Sequence, residues 1–135
     1  MIEKKESRIK KVKTSTLRNR ADRLFQELGR LMYKECYCGG QYSCLHHHHR
    51  KSISSALRYE IKNGIPVCAK CHFRWHQTED PQINLGMKLF MESQFGNNWE
   101  IELLQQRQAN QYVKTDNAWY KTNIEILQTM INAFK

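Results

Sequence analysis

Near the start of this 135-residue chain, apolar residues return every three or four positions, which is the period of an amphipathic helix. We predict one helix over residues 14–34, with arginines lying largely on its opposite face. The apolar positions that set this period are Leu17, Ala21, Leu24, Phe25, Leu28, Leu31 and Met32. The helix should therefore bury one side and expose a basic one.

Residues 34–54 have no helical period and are rich in cysteine, glycine, tyrosine and histidine. We interpret this part as a metal-binding turn followed by a short hairpin. Further along, Leu57, Tyr59 and Ile61 alternate with polar residues, which indicates a brief strand. The dipeptide Asn63-Gly64 predicts a turn.

The helical period returns after residue 68. Residues 71–77 predict a short helix, and Pro81 ends it because proline lacks the backbone N–H that a helix needs. The last third of the chain predicts three more helices: residues 83–91, residues 99–112, and a final helix that Thr115 or Asp116 caps. Helices together with a short hairpin predict an α+β fold.

Charge and composition narrow the range of partners. Lysine and arginine number 22 against 13 acidic residues, which gives a net charge of +9 and favours a polyanion such as nucleic acid. Residues 1–13 are charged and poor in large apolar groups, which predicts a flexible basic arm rather than a secretory signal. We find no run long and apolar enough to span a bilayer, so we expect a cytoplasmic protein.

The five cysteines are grouped in a way that favours metal binding over disulfides. Cys68 and Cys71 have the two-residue spacing of a zinc knuckle. Cys38 is the expected third ligand, and the fourth is either Cys36 or Cys44. We favour Cys36, although only one residue separates it from Cys38, because two glycines follow and permit a tight turn. The sequence thus predicts one structural zinc ion.

Histidines predict a second metal site. His72 and His76 lie four residues apart, which places both imidazoles on one face of a helix. Upstream, residues 46–49 are four consecutive histidines. If they form a strand, alternate rings point to opposite sides, so not all four can bind one ion. A basic chain with a structural zinc and a separate histidine site is typical of a metal-dependent nuclease.

The histidine run, Asn63 and the string from Cys68 to His76 together resemble the HNH endonucleases, which have a ββα-metal fold. The likeness covers about residues 35–80 and extends to phage-borne members. The helix over residues 14–34 is also similar to the start of the phage recombination protein NinG. The resemblance implies a zinc-stapled ββα-metal core over residues 35–80, followed by a C-terminal helical extension over residues 81–135.

The resemblance also implies roles for single residues. His47 corresponds to the general base that deprotonates water, and Asn63 to the residue that holds the loop and orients that base. The run permits a one-residue shift, in which His47 is the ligand and His48 the base. Mg²⁺ is the expected catalytic ion, with Mn²⁺, Ni²⁺ and Zn²⁺ as alternatives. Its implied ligands are His46, His72 and His76.

We therefore expect a hydrolase that cleaves DNA phosphodiester bonds, of phage origin and with a role in recombination or DNA processing. Cutting both strands needs two active sites or two visits, which a homodimer through the final helices would provide. One alternative is a zinc-stabilised DNA-binding module that does not cut. Another is an interaction protein whose zinc is purely structural. The basic residues expected to contact DNA phosphates are Arg50, Lys51, Arg58, Lys70 and Arg74.

Overall fold

A computed structural model describes residues 12–49 and 56–135 of the chain. Within these residues the fold is α+β, with five α-helices and one two-stranded antiparallel sheet. None of these helices is both long enough and apolar enough to cross a membrane. The elements in chain order are α1 (Thr14–Met32), β1 (Cys44–His47), β2 (Gly64–Val67), α2 (Ala69–Thr78), α3 (Pro81–Phe95), α4 (Trp99–Ala109) and α5 (Asn117–Ala133).

The predicted helices are present, and side-chain caps explain where several of them begin. The Asp80 carboxylate accepts a hydrogen bond from the Gln82 N–H at 2.9 Å and starts α3. Of the two predicted caps for the final helix, Asp116 is the one used, and it accepts from the Trp119 N–H at 3.0 Å. Residues 1–11 of the predicted basic arm lie outside the described residues.

The predicted strand over residues 57–61 is wrong. A short 3-10 helix spans Ile61–Asn63, and the Gly64 N–H donates to the Ile61 carbonyl, so the chain turns here, as Asn63-Gly64 predicts, before β2 begins at Gly64. The alternation was misleading because Leu57 and Tyr59 are buried in two different cores. Leu57 and Tyr59 are both buried and lie two residues apart, yet they do not share one face of a strand.

The sheet lies between two apolar cores. Leu45 of β1 belongs to the α1–α5 core, whereas Ile65 and Val67 of β2 belong to the α3–α4 core. The other buried members of the α1–α5 core are Leu17, Ala21, Phe25, Leu28, Tyr59, Tyr120, Ile124, Leu127 and Ile131. The other buried members of the α3–α4 core are Cys36, Leu57, Ile83, Met87, Met91, Trp99 and Leu103.

Two glycines allow α1 and the sheet to pack closely. A Cβ atom added to Gly29 of α1 would lie 2.5 Å from the Leu45 Cγ and 2.6 Å from the Tyr42 hydroxyl. A Cβ atom added to Gly64 of β2 would lie 2.8 Å from the Phe25 ring. A Cβ atom at either position would overlap these side chains, so the packing here would have to shift to accept it.

We expect Gly29→Ala to destabilise the fold, although alanine is the better helix former by about 1 kcal/mol. The added methyl overlaps Leu45 and Tyr42, and overpacking a core costs about 1–3 kcal/mol. Urea unfolding measures the free energy of unfolding. Asn19→Ala at an exposed position of α1 is the control and should not lower it. An unfolding free energy for Gly29→Ala equal to or above that of the control would contradict this packing.

Candidate metal centres

Four cysteines form one tight group that could hold a zinc ion. Their sulfur atoms all lie within 4.8 Å of one another. The Cys38 and Cys71 sulfurs are 3.7 Å apart, and a tetrahedral ion with bonds of about 2.3 Å requires sulfurs about 3.8 Å apart. The geometry and the donor type both fit zinc. The members of this group, the cysteine site, are Cys36, Cys38, Cys68 and Cys71.

Two short backbone segments aim these sulfurs inward. Gly39 has a φ of 88°, in the left-handed region that glycine adopts readily, and its N–H donates to the Cys36 carbonyl. The Cys38 N–H then points to the Cys36 sulfur at 3.5 Å. Cys68 is the N-cap of α2, and its sulfur accepts from the Cys71 N–H at 3.3 Å. In each cysteine pair, the backbone N–H of the second cysteine therefore points to the sulfur of the first.

The electrostatics of Cys68 suit a metal ligand, because zinc binds the thiolate. Burial acts to raise the pKa of Cys68, but the Cys71 N–H and the neighbouring thiols outweigh it and lower that pKa to about 7. Tyr37 lies between the first two cysteines in the chain, and burial, followed by the neighbouring Cys71, raises the pKa of its hydroxyl. The Tyr37 ring lies directly against Gly86 of α3, where a Cβ atom would approach it to 2.6 Å.

Of the two alternatives for the fourth zinc ligand, the structure brings Cys36 into the cysteine site and leaves Cys44 outside it. Cys44 is in β1, where its sulfur lies 3.4 Å from the His72 Nδ1. Burial raises the pKa of the Cys44 thiol. The favoured choice of Cys36 therefore agrees with the grouping, even though its spacing from Cys38 is unusual.

We expect Cys68→Ser to lose the structural zinc and to lower the stability of the surrounding turns, because ion binding contributes to their folding. The readout is the sulfur-to-metal absorption of the protein loaded with cobalt(II). Cys44→Ser is the matched control, since Cys44 lies outside the cysteine site, and it should keep that absorption. Equal loss in both variants would contradict the assignment of four ligands.

Three histidines from two elements form a second group. The ligand nitrogens of His46, His72 and His76 all lie within 4.8 Å of one another. The Nε2 atoms of His72 and His76 are 2.9 Å apart. The His46 ring centroid is 5.5 Å from that of His72 and 6.0 Å from that of His76. β1 supplies the first ring and one face of α2 supplies the other two. These three residues form the histidine site.

The histidine site is a group that could hold a metal ion. His46 is only 5% exposed, and its Nδ1 has no hydrogen-bond partner among the described residues. Such an unsatisfied buried nitrogen is costly unless a ligand pairs with it. Burial, and then the nearby His72 and His76, lower the pKa of His46 to about 3, so its ring is neutral near pH 7. His76 is exposed, which opens one side of the group to solvent.

The His47 and His48 rings pack against residues that are not part of the histidine site. The His47 ring stacks on Phe25 at 5.2 Å, and its Nε2 lies 2.9 Å from the Arg58 carbonyl oxygen. The His48 ring packs against Trp99 at 5.0 Å, with its Nε2 3.7 Å from a Glu100 oxygen. The geometry therefore places His46 beside His72 and His76, and it does not bring His47 into that group as the one-residue shift would require.

Asn63 is fully buried and connects two parts of the backbone. Its side-chain oxygen accepts from the His49 N–H at 2.8 Å. Its side-chain nitrogen donates to the carbonyls of His49 and Leu57 at 3.1 and 3.0 Å. All of its amide bonds thus go to the chain just after β1 and just before the 3-10 helix. The Asn63 side chain therefore ties these two backbone segments together.

An acidic residue that the sequence analysis did not single out pairs with Arg58, whose carbonyl faces the His47 ring. The Asp22 carboxylate of α1 accepts from the Arg58 Nε and Nη2 at 2.9 and 3.0 Å, and from the Tyr59 hydroxyl at 2.7 Å. Burial acts to raise the pKa of Asp22, but Arg58 and Tyr59 outweigh it and lower that pKa. Asp22 and Arg58 are 36 residues apart in the chain, so no local sequence pattern indicates this pair.

The residues predicted to contact phosphates fall into three groups. Lys70 and Arg74 are exposed on α2, and Arg74 also forms an ion pair with Asp80 at 3.2 Å. Arg58 directs two nitrogens to Asp22, which balances its charge within the protein. Arg50 and Lys51 lie outside the described residues.

Comparison of the chain with protein-family models, with curated proteins and with solved structures finds no match.

We expect acid to destabilise the fold through His46. Its folded pKa of about 3 lies below the unfolded value of about 6.5, so the unfolded chain binds more protons between these values. The free energy of unfolding should therefore fall as the pH drops from about 7.5 to about 5.5, and less steeply in His46→Gln. His76→Gln is the control because it removes an exposed histidine from the same site. Urea unfolding at each pH measures this, and parallel slopes in parent and His46→Gln would contradict it.

Proposed function

We propose that this chain is a metal-dependent endonuclease of the HNH type, which hydrolyses DNA phosphodiester bonds in a ββα-metal core. The observation that carries the proposal is the convergence of His46, His72 and His76, with His47 next in the chain to one of them. The order β1, β2, α2 agrees with such a core, because the strands and the helix that follows them supply these residues. The cysteine site supports the same short segment from outside.

The histidine site holds a divalent ion in this proposal. Three imidazoles are preferred by Zn²⁺, Ni²⁺ and related transition metals, whereas Mg²⁺ prefers oxygen ligands. The bound ion would polarise the phosphate and stabilise the departing oxygen. We therefore favour a transition metal over the Mg²⁺ that the resemblance suggested first. The exposed side of His76 leaves room for a phosphate to approach.

His47 is the proposed general base, and its surroundings determine which nitrogen acts. A carbonyl oxygen only accepts hydrogen bonds, so the Nε2 that faces the Arg58 carbonyl carries the ring hydrogen. In a neutral imidazole the lone pair then lies on Nδ1. A positioned neutral imidazole is a suitable base near pH 7 and contributes about 10²–10⁴-fold to the rate.

Two sets of contacts keep the proposed base in place. The pairing of Arg58 with Asp22 holds the backbone whose carbonyl receives the His47 hydrogen bond. The bonds of Asn63 to His49 and Leu57 hold the chain on both sides of the same region. Asn63 therefore acts on His47 through the backbone and not by direct contact in this proposal.

The charge of the chain supports DNA as the substrate. The net charge is +9, and Arg20, Arg23 and Arg30 of α1 are exposed, as are Lys70 and Arg74 of α2. Phosphate contacts of this kind give affinity without sequence preference and weaken steeply with salt. A phage origin and a role in recombination or DNA processing rest on the sequence likeness alone. A homodimer would supply the second active site needed to cut both strands.

Plasmid nicking by the purified protein tests this function. We expect the parent to nick supercoiled DNA with Mn²⁺, Ni²⁺ or Zn²⁺. His47→Ala should be slower by about 10²–10⁴-fold because the proposed base is removed. His48→Asn is the control. The His48 ring packs against Trp99, so this variant should retain nicking.

The outcomes distinguish the alternatives. Equal nicking by parent and His47→Ala would remove His47 as the base. Loss of nicking in both His47→Ala and His48→Asn, with retention in His46→Gln, would support the shifted register, because His47 is then a ligand and His48 the base. No nicking by the parent with any of these ions, together with salt-sensitive DNA binding, would favour a zinc-stabilised binding module. No DNA affinity at low salt, together with tight binding to a protein, would favour an interaction protein.

A further inference from the structure

Cys44 lies on the same face of β1 as one of the proposed metal ligands. Successive side chains of a strand point to opposite sides, so Cys44 and His46, two residues apart, both face α2. The pairing of Cys44 with Val67 and of His46 with Ile65 fixes this register. One strand face therefore meets the helix that carries the other two histidines.

The contacts of His72 connect this cysteine to the histidine site. The Cys44 sulfur lies 3.4 Å from the His72 Nδ1, within hydrogen-bonding distance for sulfur. On the other side of the same ring, the His72 Nε2 lies 2.9 Å from the His76 Nε2. The two nitrogens of His72 thus face different residues, one a thiol and the other a second proposed ligand.

This arrangement matters because an imidazole binds metal through a nitrogen that carries no hydrogen. If Nε2 binds the ion, a neutral ring carries its hydrogen on Nδ1, and the group facing Nδ1 determines that choice and the ring orientation. Metal-binding histidines usually have a carboxylate or carbonyl oxygen in that place. Here a thiol sulfur, which is a weak acceptor, faces it.

We propose that Cys44 is a positioning residue of the histidine site: its sulfur accepts the His72 Nδ1–H and holds the ring with Nε2 directed at the ion. The inference rests on the proposed ion site, and it gives the fifth cysteine a role separate from the structural zinc. Cys44 does not bind the ion in this proposal, since it is not a member of the group of three ligand atoms.

A pair of substitutions separates hydrogen bonding from packing. Cys44→Ser keeps an acceptor at the same place, whereas Cys44→Val keeps apolar volume and strand preference but has no acceptor. We expect Cys44→Ser to bind the second ion nearly as tightly as the parent, and Cys44→Val to bind it about 10- to 100-fold more weakly. Calorimetric titration of Ni²⁺ into protein that already holds one equivalent of zinc measures both affinities.

A packing role predicts the opposite order, because valine would replace the buried thiol better than serine. Affinity for Ni²⁺ that is higher in Cys44→Val than in Cys44→Ser, or equal to the parent in both, would overturn the proposal. The zinc content of the cysteine site checks that each variant is folded, since that site does not include Cys44.

A second measurement does not depend on the second ion or on any variant. Nitrogen-15 NMR of the parent with one equivalent of zinc reports which His72 nitrogen carries the hydrogen. We expect Nδ1–H, and an Nε2–H ring would overturn the role of Cys44. If the parent shows Nδ1–H yet binds no Ni²⁺ at the histidine site, the proposed nuclease site fails, whereas the Cys44–His72 hydrogen bond stands.

Discussion

The antiparallel pairing of β1 with β2 determines where both candidate metal-binding groups lie. With His46 opposite Ile65, β1 directs His46 toward α2 and His47 toward Phe25 of α1. A register change of one residue would exchange these two directions and separate His46 from the other ligands. The same pairing ends at Val67, so that Cys68 follows directly as the N-cap of α2. The four paired residues of each strand thus connect the cysteine site to the histidine site.

A two-stranded sheet of this length is marginal alone, so its geometry depends on what surrounds it. Contacts between α1 and α5 form one core, and α3 and α4 form the other. The helices outside the metal-binding segment therefore support it on both sides. The helix α1 approaches the sheet closely because Gly29 and Gly64 have no side chain at the points of contact. On the other side, Tyr37 connects the cysteine site to Gly86 of α3.

The sequence predicted those parts of the structure that depend on local chemistry. Fixed spacing identified Cys68 with Cys71 and His72 with His76, and capping chemistry located the start of the last helix at Thr115 or Asp116. It failed where tertiary burial produced a misleading pattern, as in the strand predicted over residues 57–61. It also missed contacts between distant residues. The Asp22–Arg58 pair has no local signal, although strand alternation alone would have placed Cys44 on the His46 side.

Asn63 has a consequence for how such a chain can diverge. Its amide joins the backbone at His49 and Leu57, so both ends of the intervening stretch are fixed to one buried side chain. Few substitutions at position 63 can therefore be accepted, because a residue without this amide would release His49 and Leu57 together while position 63 stays fully buried.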